Sequence, residues 1–505
     1  MMNRLTGLDG ISLHGETTVM PTHVLAVAFC DPAARGDLTA GALMRLLAER
    51  AAAIPGFRQR LLTKPFGLGQ PAWIADPAFD IDNHLHRVRL AQPGTMEELC
   101  ALVSELHAQP LDRRRPLWDA WVVQGLADGR LAVVIKFSHA IADGVGAVTS
   151  LLPGLMTADP DAGFAATAQH ATTAIPGVTE RVQDVVDEVA ANTAAGLRVT
   201  AKVAPVAIKA MVGRTLGSVR HLLTDAGPQR ATARDSEPDR KSPRNRLSAP
   251  LTARRSVAFA AVAMDDLHAI TAAFGVTVND VFLAATTSAL RRWLETHDGV
   301  PSSPLRTMMP ISTRGAEDNA SNSWSPVVVT LPVHLATAVD QLASIHDATS
   351  RIKSARRSAP PINLADVIEL VPPALIEIAT GLYTGLKLSR FHSPVAHLIT
   401  SNVAGPAETR YCAGAHVLGI HPMAPLVEGA NLNVTAVSYD GTLAVGLVAC
   451  PDNVENVASI ARGIEDVVGE LKMAADARTG YSADLTPAIP AEHVVMPAVS
   501  TAQSA

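Results

Sequence analysis

Two periodicities alternate along the first part of the chain. His23–Cys30 (HVLAVAFC) and Arg130–Phe137 (RLAVVIKF) are short, β-rich and free of proline. Such runs predict strands buried on both faces. Ala40–Ala53 and Met96–His107 instead repeat apolar residues at helical spacing. Gly177–Thr224 is long, helical in pattern and rich in Ala and Val. Its polar face mixes both signs of charge, which suits a helix packed on its own domain better than one lying on lipid. Residues 226–250 are dense in charge, Pro and Ser, and predict an exposed crossover between two halves. A strand over Arg255–Met264 opens the second half, and a helix opens at Val278-Asn279-Asp280. Pro361–Phe391 is apolar but broken at Pro372–Pro373, with the same two readings, lipid surface or packed helix. The chain therefore divides into a first domain (1–175), a helical segment with the crossover (176–250), a second domain (251–475) and a disordered Pro/Ala/Ser-rich tail (476–505). No internal repeat is visible.

Composition agrees with large cores. Of 505 residues, 48% are apolar and 18% charged, below the ~25% charged share of average domains. A net charge of −6 argues against nucleic acid as a partner. No apolar run approaches the ~20 residues of a membrane span, and Met1–Met20 lacks a signal-peptide core. The expected location is cytoplasmic. Cys30, Cys100, Cys412 and Cys450 are far apart and form no CxxC pair, so buried, inert thiols are expected rather than zinc ligands or disulfides. There is no GxSxG nucleophile elbow, no GxxxxGK[ST] phosphate loop and no HExxH helix. Gly144-Val145-Gly146 lacks the third glycine of a dinucleotide loop. No metal site is expected.

The chemistry concentrates in Leu131–Ser150 (LAVVIKFSHAIADGVGAVTS). A buried strand runs into Ser138-His139, and Asp143-Gly144 follows. A histidine at a strand end, with an ordinary pKa near ~6.5, can act as base and then acid at neutral pH. Asp143 can orient the loop, and Gly144 permits a tight turn. Upstream stand Trp73, Asp76, Phe79-Asp80, His84, Arg113–Arg115 and Pro116-Leu117-Trp118. Downstream stand Asn279-Asp280, Pro310–Arg314, Ser401–Pro406, Leu432-Asn433 and Ser438–Gly441.

In this order and spacing, the set resembles the bacterial wax ester synthase/acyl-CoA:diacylglycerol acyltransferase family, with its HHxxxDG, PLW and ND elements. The resemblance runs from about Leu5 to Leu471. It implies an α/β fold of two chloramphenicol-acetyltransferase-like domains with an active-site tunnel between them. It also implies acyl transfer from acyl-CoA, a co-substrate rather than a cofactor, to the hydroxyl of diacylglycerol or a fatty alcohol. His139 would be the general base, with Asp143 a structural residue paired to an arginine such as Arg314. Asn279 would either donate a hydrogen bond in the site or cap a helix. Ser138, Pro116, Leu117, Trp118 and Asp280 would line or brace the substrate site, ordinary packing being the alternative for Trp118. Arg113–Arg115 reads as a solvated face, contact with CoA phosphates being the alternative. With no membrane span and no lipidation signal in the sequence, the expectation is a soluble protein that visits a membrane or lipid-droplet surface peripherally.

One departure stands out: Ser138 occupies the first histidine of HHxxxDG. A serine keeps a hydrogen bond but does not titrate near neutrality. It leaves two other readings open: a different hydroxylated lipid acceptor, or a non-catalytic lipid-binding homologue.

Overall fold

The computed structural model describes residues 3–5, 7–32, 38–64, 69–142, 146–147, 151–160, 177, 179–187, 243–312, 324–358 and 371–484. Fifteen strands are described: β1 Asn3–Arg4, β2 His23–Asp31, β3 Gln59–Leu62, β4 Ala72–Ala75, β5 Leu85–Arg89, β6 Trp118–Gln124, β7 Leu131–Ser138, β8 Ser256–Ala263, β9 Leu305–Ser312, β10 Trp324–Leu331, β11 Leu398–Ala404, β12 Tyr411–Cys412, β13 Ala415–Met423, β14 Leu432–Tyr439 and β15 Thr442–Ala449. The main helices are α1 Gly7–His14, α2 Ala40–Ala53, α3 Met96–Ala108, α4 Met264–Phe274, α5 Val278–Thr296, α6 Ala338–Ser358, α7 Pro373–Gly385 and α8 Val457–Asp484.

The local chemistry explains the main elements. β7 is buried at all eight positions, as its unbroken apolar run predicts. α2 starts where the Thr39 hydroxyl accepts the Ala42 N–H. α3 starts on a reciprocal capping box between Thr95 and Glu98.

Two six-stranded mixed sheets result. The first has the order β12-β13-β2-β7-β6-β5, with only β5 and β6 parallel. The second has the order β10-β9-β11-β14-β15-β8, parallel on both sides of β11. A small third sheet joins β1, β4 and β3. The two-domain α/β architecture expected from the sequence is present.

The chain does not, however, keep the two sheets in two separate stretches of sequence. β12 and β13 belong to the second half, yet they complete the first sheet along the edge of β2. An open β2 edge would leave a row of unpaired backbone groups, and β13 satisfies them. The sheets approach closely there: a side-chain carbon on Gly446 of β15 would stand 1.8 Å from the carbonyl oxygen of Pro422 in β13. One core spans both halves, gathering Leu25, Val27, Phe29, Leu99 and Val103 with Val257, Val448 and Cys450. A second core lies in the second half, joined by Leu247 at the end of the crossover, and there α5 is buried for most of its length between its sheet and α8.

Three stretches differ from the sequence reading. The expected exposed crossover ends in a docked segment: Leu247 is fully buried, and Asn431 binds its carbonyl through both backbone and side chain. Arg246 is held by Asp298 and Glu455. The last helix continues to Asp484, beyond the expected domain end at 475, because no proline interrupts it before Pro487. Of Gly177–Thr224, only 177 and the helix at 179–187 are described, and Asp184 fastens that helix to Arg4 at 2.5 Å and Lys64 at 2.7 Å. Among the described residues, no single helix is long and apolar enough to cross a membrane. A bent pair, α4 with α5, passes by composition alone, and its longer member is core.

Candidate active site

β7 ends in a turn that presents His139. The Ser138 N–H donates to the Leu117 carbonyl at 2.9 Å, which ties the strand end to the segment entering β6. The Ser138 hydroxyl then accepts the Ala140 N–H at 3.2 Å, and its carbonyl accepts the Ile141 N–H at 2.9 Å. One residue thus closes the turn from both sides. His139 lies at the bend, half-buried, while Ser138 and Ala140 on either side are buried. Ala142 and Ala147 belong to the same core as Val437 and Tyr439 of β14, so the turn stands where the two halves meet. Asp143, Gly144 and Arg314 fall outside the described residues.

The Pro116-Leu117-Trp118 element braces this turn from below. Pro116 is buried, and Leu117 and Trp118 are each 1% exposed. The indole donates to the Phe57 carbonyl at 2.8 Å. It is stacked between Phe57 (4.3 Å) and His84 (4.8 Å), and Phe79 extends the stack beyond His84. The sequence reading has Leu117 and Trp118 lining or bracing the substrate site, with ordinary packing as the alternative for Trp118; both side chains are buried in the interior. Phe57 and Phe79 were not singled out together because nothing in the sequence marks them as one stack. The three arginines beside this element are turned toward protein oxygens. Arg113 donates to the Leu13 carbonyl at 2.6 Å, Arg114 to Asp112, and Arg115 to the Asn83 carbonyl. Hydrogen bonds from Arg114 pull the Asp112 carboxyl down to about 2.

In the second half, Asn279 and Asp280 open α5, but neither is its cap. Thr277 takes that place: its hydroxyl accepts the Asp280 N–H, and Asp280 returns the bond to the Thr277 N–H at 2.9 Å. Asn279 is half-buried and its amide points to the Met309 sulfur at 3.7 Å. The reading of Asn279 as a cap is therefore replaced by Thr277. Asp280 is fully buried and accepts from His346 Nδ1 at 2.9 Å and from the Thr349 hydroxyl at 2.7 Å. Burial alone would raise its pKa, but the His346 hydrogen bond, with those from Thr277 and Thr349, holds the carboxyl below its ordinary value. Asp280 is thus an internal clamp between α5 and α6 and presents no surface to a substrate. His346 and Thr349 sit on a helix without any motif, so sequence reading passed over them. Asn433 is similarly committed, donating to the Pro425 carbonyl and accepting from Thr435.

A buried basic group lies on the other face of β7. The period of two puts Lys136 and Ser138 on one face, with His23 the register partner of Ser138. Lys136 donates to the carbonyls of Leu106 and Gln109, and burial lowers it to about 8. His23 sits 2.9 Å from the His107 carbonyl, with its ring 5.1 Å from that of His107. Burial presses His107 to about 3 and Arg255 to about 10. These residues come from four separate stretches, which is why no local motif announced them.

Among the described residues, no group of three metal-binding side chains converges. The four cysteines are free thiols, and burial pushes Cys100 up to about 12.

Comparison with known proteins gives a consistent result. The chain matches the models of the wax ester synthase/diacylglycerol acyltransferase catalytic domain over residues 5–282 and of the WS/DGAT C-terminal domain over residues 320–472. A putative diacylglycerol O-acyltransferase of Mycobacterium tuberculosis is 31% identical over 487 residues, covering 94% of this chain and 91% of the relative. A probable diacylglycerol O-acyltransferase of the same species, tgs1, is 31% identical over 93% of this chain and 96% of its own length. Among solved structures, the wax ester synthase/diacylglycerol acyltransferase from Marinobacter aquaeolei VT8 superposes with a TM-score of 0.67 at 24% identity, covering 94% of this chain and 100% of that one. The first condensation domain of the calcium-dependent antibiotic synthetase gives 0.52 at 15% identity, over 94% and 96%. These two likenesses establish the fold.

Proposed function

The chain belongs to the wax ester synthase/diacylglycerol acyltransferase family, and from that premise we propose that it transfers a long-chain acyl group from acyl-CoA to the hydroxyl of diacylglycerol, and to fatty alcohols, with His139 as general base. The observation that carries the reading is the position of His139: it is held by a closed turn at the end of a fully buried strand, where the two halves meet.

An alcohol, with a pKa of roughly 16, attacks poorly until a base removes its proton, a role worth ~10²–10⁴ in rate. His139 takes that proton as the oxygen bonds to the thioester carbon. The tetrahedral intermediate collapses, the carbon–sulfur bond breaks, and the CoA sulfur leaves with the proton from the imidazolium. Ester and free CoA are the products, and the histidine is restored. Asn279, half-buried next to the Asp280 clamp with its amide toward the Met309 sulfur, is the residue proposed to turn that amide to a substrate oxygen. An acceptor insoluble in water implies work at a lipid surface.

The test is release of free CoA thiol from palmitoyl-CoA with dioleoylglycerol, hexadecanol or no acceptor, for wild type and His139→Ala. Acceptor-dependent release that disappears in the variant supports the reading. Equal release by both proteins overturns it.

A further inference from the structure

α7 and the segment after it carry a row of large apolar side chains that the described protein does not cover. Leu375, Ile378 and Leu382 recur at spacings of three and four, which places them on one stripe of α7, and the exposed Val371 and Leu386 flank the helix at its two ends. Leu375, Ile378 and Leu382 are each more than half exposed, Phe391 is 73% exposed and Val395 is 65% exposed. So many large apolar side chains exposed within one short segment are a feature that soluble surfaces rarely leave open.

The opposite side of the same segment is firmly anchored. Glu377, the only acidic residue of α7, reaches His14 of α1 at 2.7 Å. Past the helix, the buried Ser389 donates to Glu428 at 2.6 Å, and the other oxygen of Glu428 accepts the Leu251 N–H. The stripe is therefore a fixed feature of a packed element.

Charge decides what fits it. The exposed ionic side chains from Leu386 to Val395 are Lys387 and Arg390, at one end of the stripe. An apolar row ending in exposed cations matches the boundary between acyl chains and anionic headgroups. We propose that α7 and the turn to Val395 form the docking face for an anionic lipid surface, with Leu375, Ile378, Leu382 and Phe391 entering the acyl boundary and Lys387 and Arg390 meeting headgroup phosphates. The proposal rests on the acyltransferase reading only in that it explains how the enzyme reaches an insoluble acceptor.

The experiment is flotation of the full chain with vesicles of phosphatidylcholine alone or mixed with phosphatidylglycerol. Wild type is expected to partition onto mixed vesicles at least about tenfold more than the triple variant Leu375→Ser/Ile378→Ser/Leu382→Ser. Lys387→Glu/Arg390→Glu should lose the gain from phosphatidylglycerol while keeping its binding to phosphatidylcholine. Turnover of palmitoyl-CoA with a water-soluble alcohol should be unchanged in both variants, which controls for folding. Triple-variant binding equal to wild type, or no wild-type binding to either vesicle, overturns the proposal. A wild-type dimer that becomes a monomer in the triple variant overturns it in favour of contact between copies. If vesicle binding depends on the stripe but no alcohol is ever acylated, the docking face stands and the acyltransferase reading fails.

Discussion

The imidazole of His346 lies 2.9 Å from the carboxylate of Asp280, across the gap between α6 and the first turn of α5. The carboxylate is fully buried and the imidazole partly open, so the pair works as a hinge pin between two helices. Removing Asp280 strands His346, Thr349 and the Thr277 N–H together. Asp280→Ala is expected to lower unfolding stability by about 2–3 kcal/mol, since hydrogen bonds to charged groups are worth ~1.5–3 kcal/mol each and some relax to water. A urea titration with an unchanged slope measures it. Activity per folded molecule at low temperature should stay within several-fold of wild type, and a loss matching that of His139→Ala would contradict an architectural role.

His139→Ala should lower kcat by ~10²–10⁴ with any acceptor. Its melting temperature should match wild type within a few degrees, because the half-buried ring is not a core side chain. Single-turnover acylation followed by product extraction separates loss of chemistry from loss of binding.

Restoring the family histidine at Ser138 should do harm. Ser138 is 7% exposed, lies in register with buried His23, and shares a strand face with Lys136. An imidazole there adds volume, gives up the hydroxyl's bond to Ala140, and enters a cluster already rich in buried bases. Overpacking of this kind costs ~1–3 kcal/mol. Ser138→His is expected to melt lower than wild type and to show lower kcat, whereas Ser138→Ala loses only the turn bond. Differential scanning calorimetry of the two variants ranks them.

The fold should be acid-labile. Burial holds His107 at about 3 and His421 at about 4, both below the ordinary 6.5. The unfolded chain binds protons in this range that the native state refuses, so stability falls as pH drops below about 6.5 and continues to fall toward pH 4. The two histidines together account for a loss on the order of 5 kcal/mol. His421 is edged by Phe29 and Phe259, so His421→Phe keeps an apolar box while removing one titration. Its unfolding midpoint in an acid titration followed by circular dichroism should shift to lower pH than that of wild type.

Elements with strong periodicity were legible in the sequence. His23–Asp31, Ala40–Ala53 and Leu131–Ser138 appear within one residue of their expected limits, because burial on both faces or along one stripe leaves an unambiguous pattern. His139 was legible as a strand-end histidine. The clamp on Asp280 was not, since His346 lies 66 residues away on a helix of ordinary composition. Nor was the allegiance of Ala415–Met423, because an apolar run specifies a strand without specifying its sheet. The Pro116–Trp118 element was legible as a motif, but its stacking with Phe57 and His84 depends on a tertiary arrangement that spacing does not encode.

The placement of β13 has a consequence for synthesis. The ribosome releases β2, β5, β6 and β7 early, but the strand that closes the edge of β2 is not made until Ala415–Met423. The first sheet, including the strand that leads to His139, therefore waits with one side open while most of the second half is translated. Nascent chains of this protein are exposed to edge-to-edge pairing with one another throughout that interval, and a fragment ending after the first half never closes the sheet.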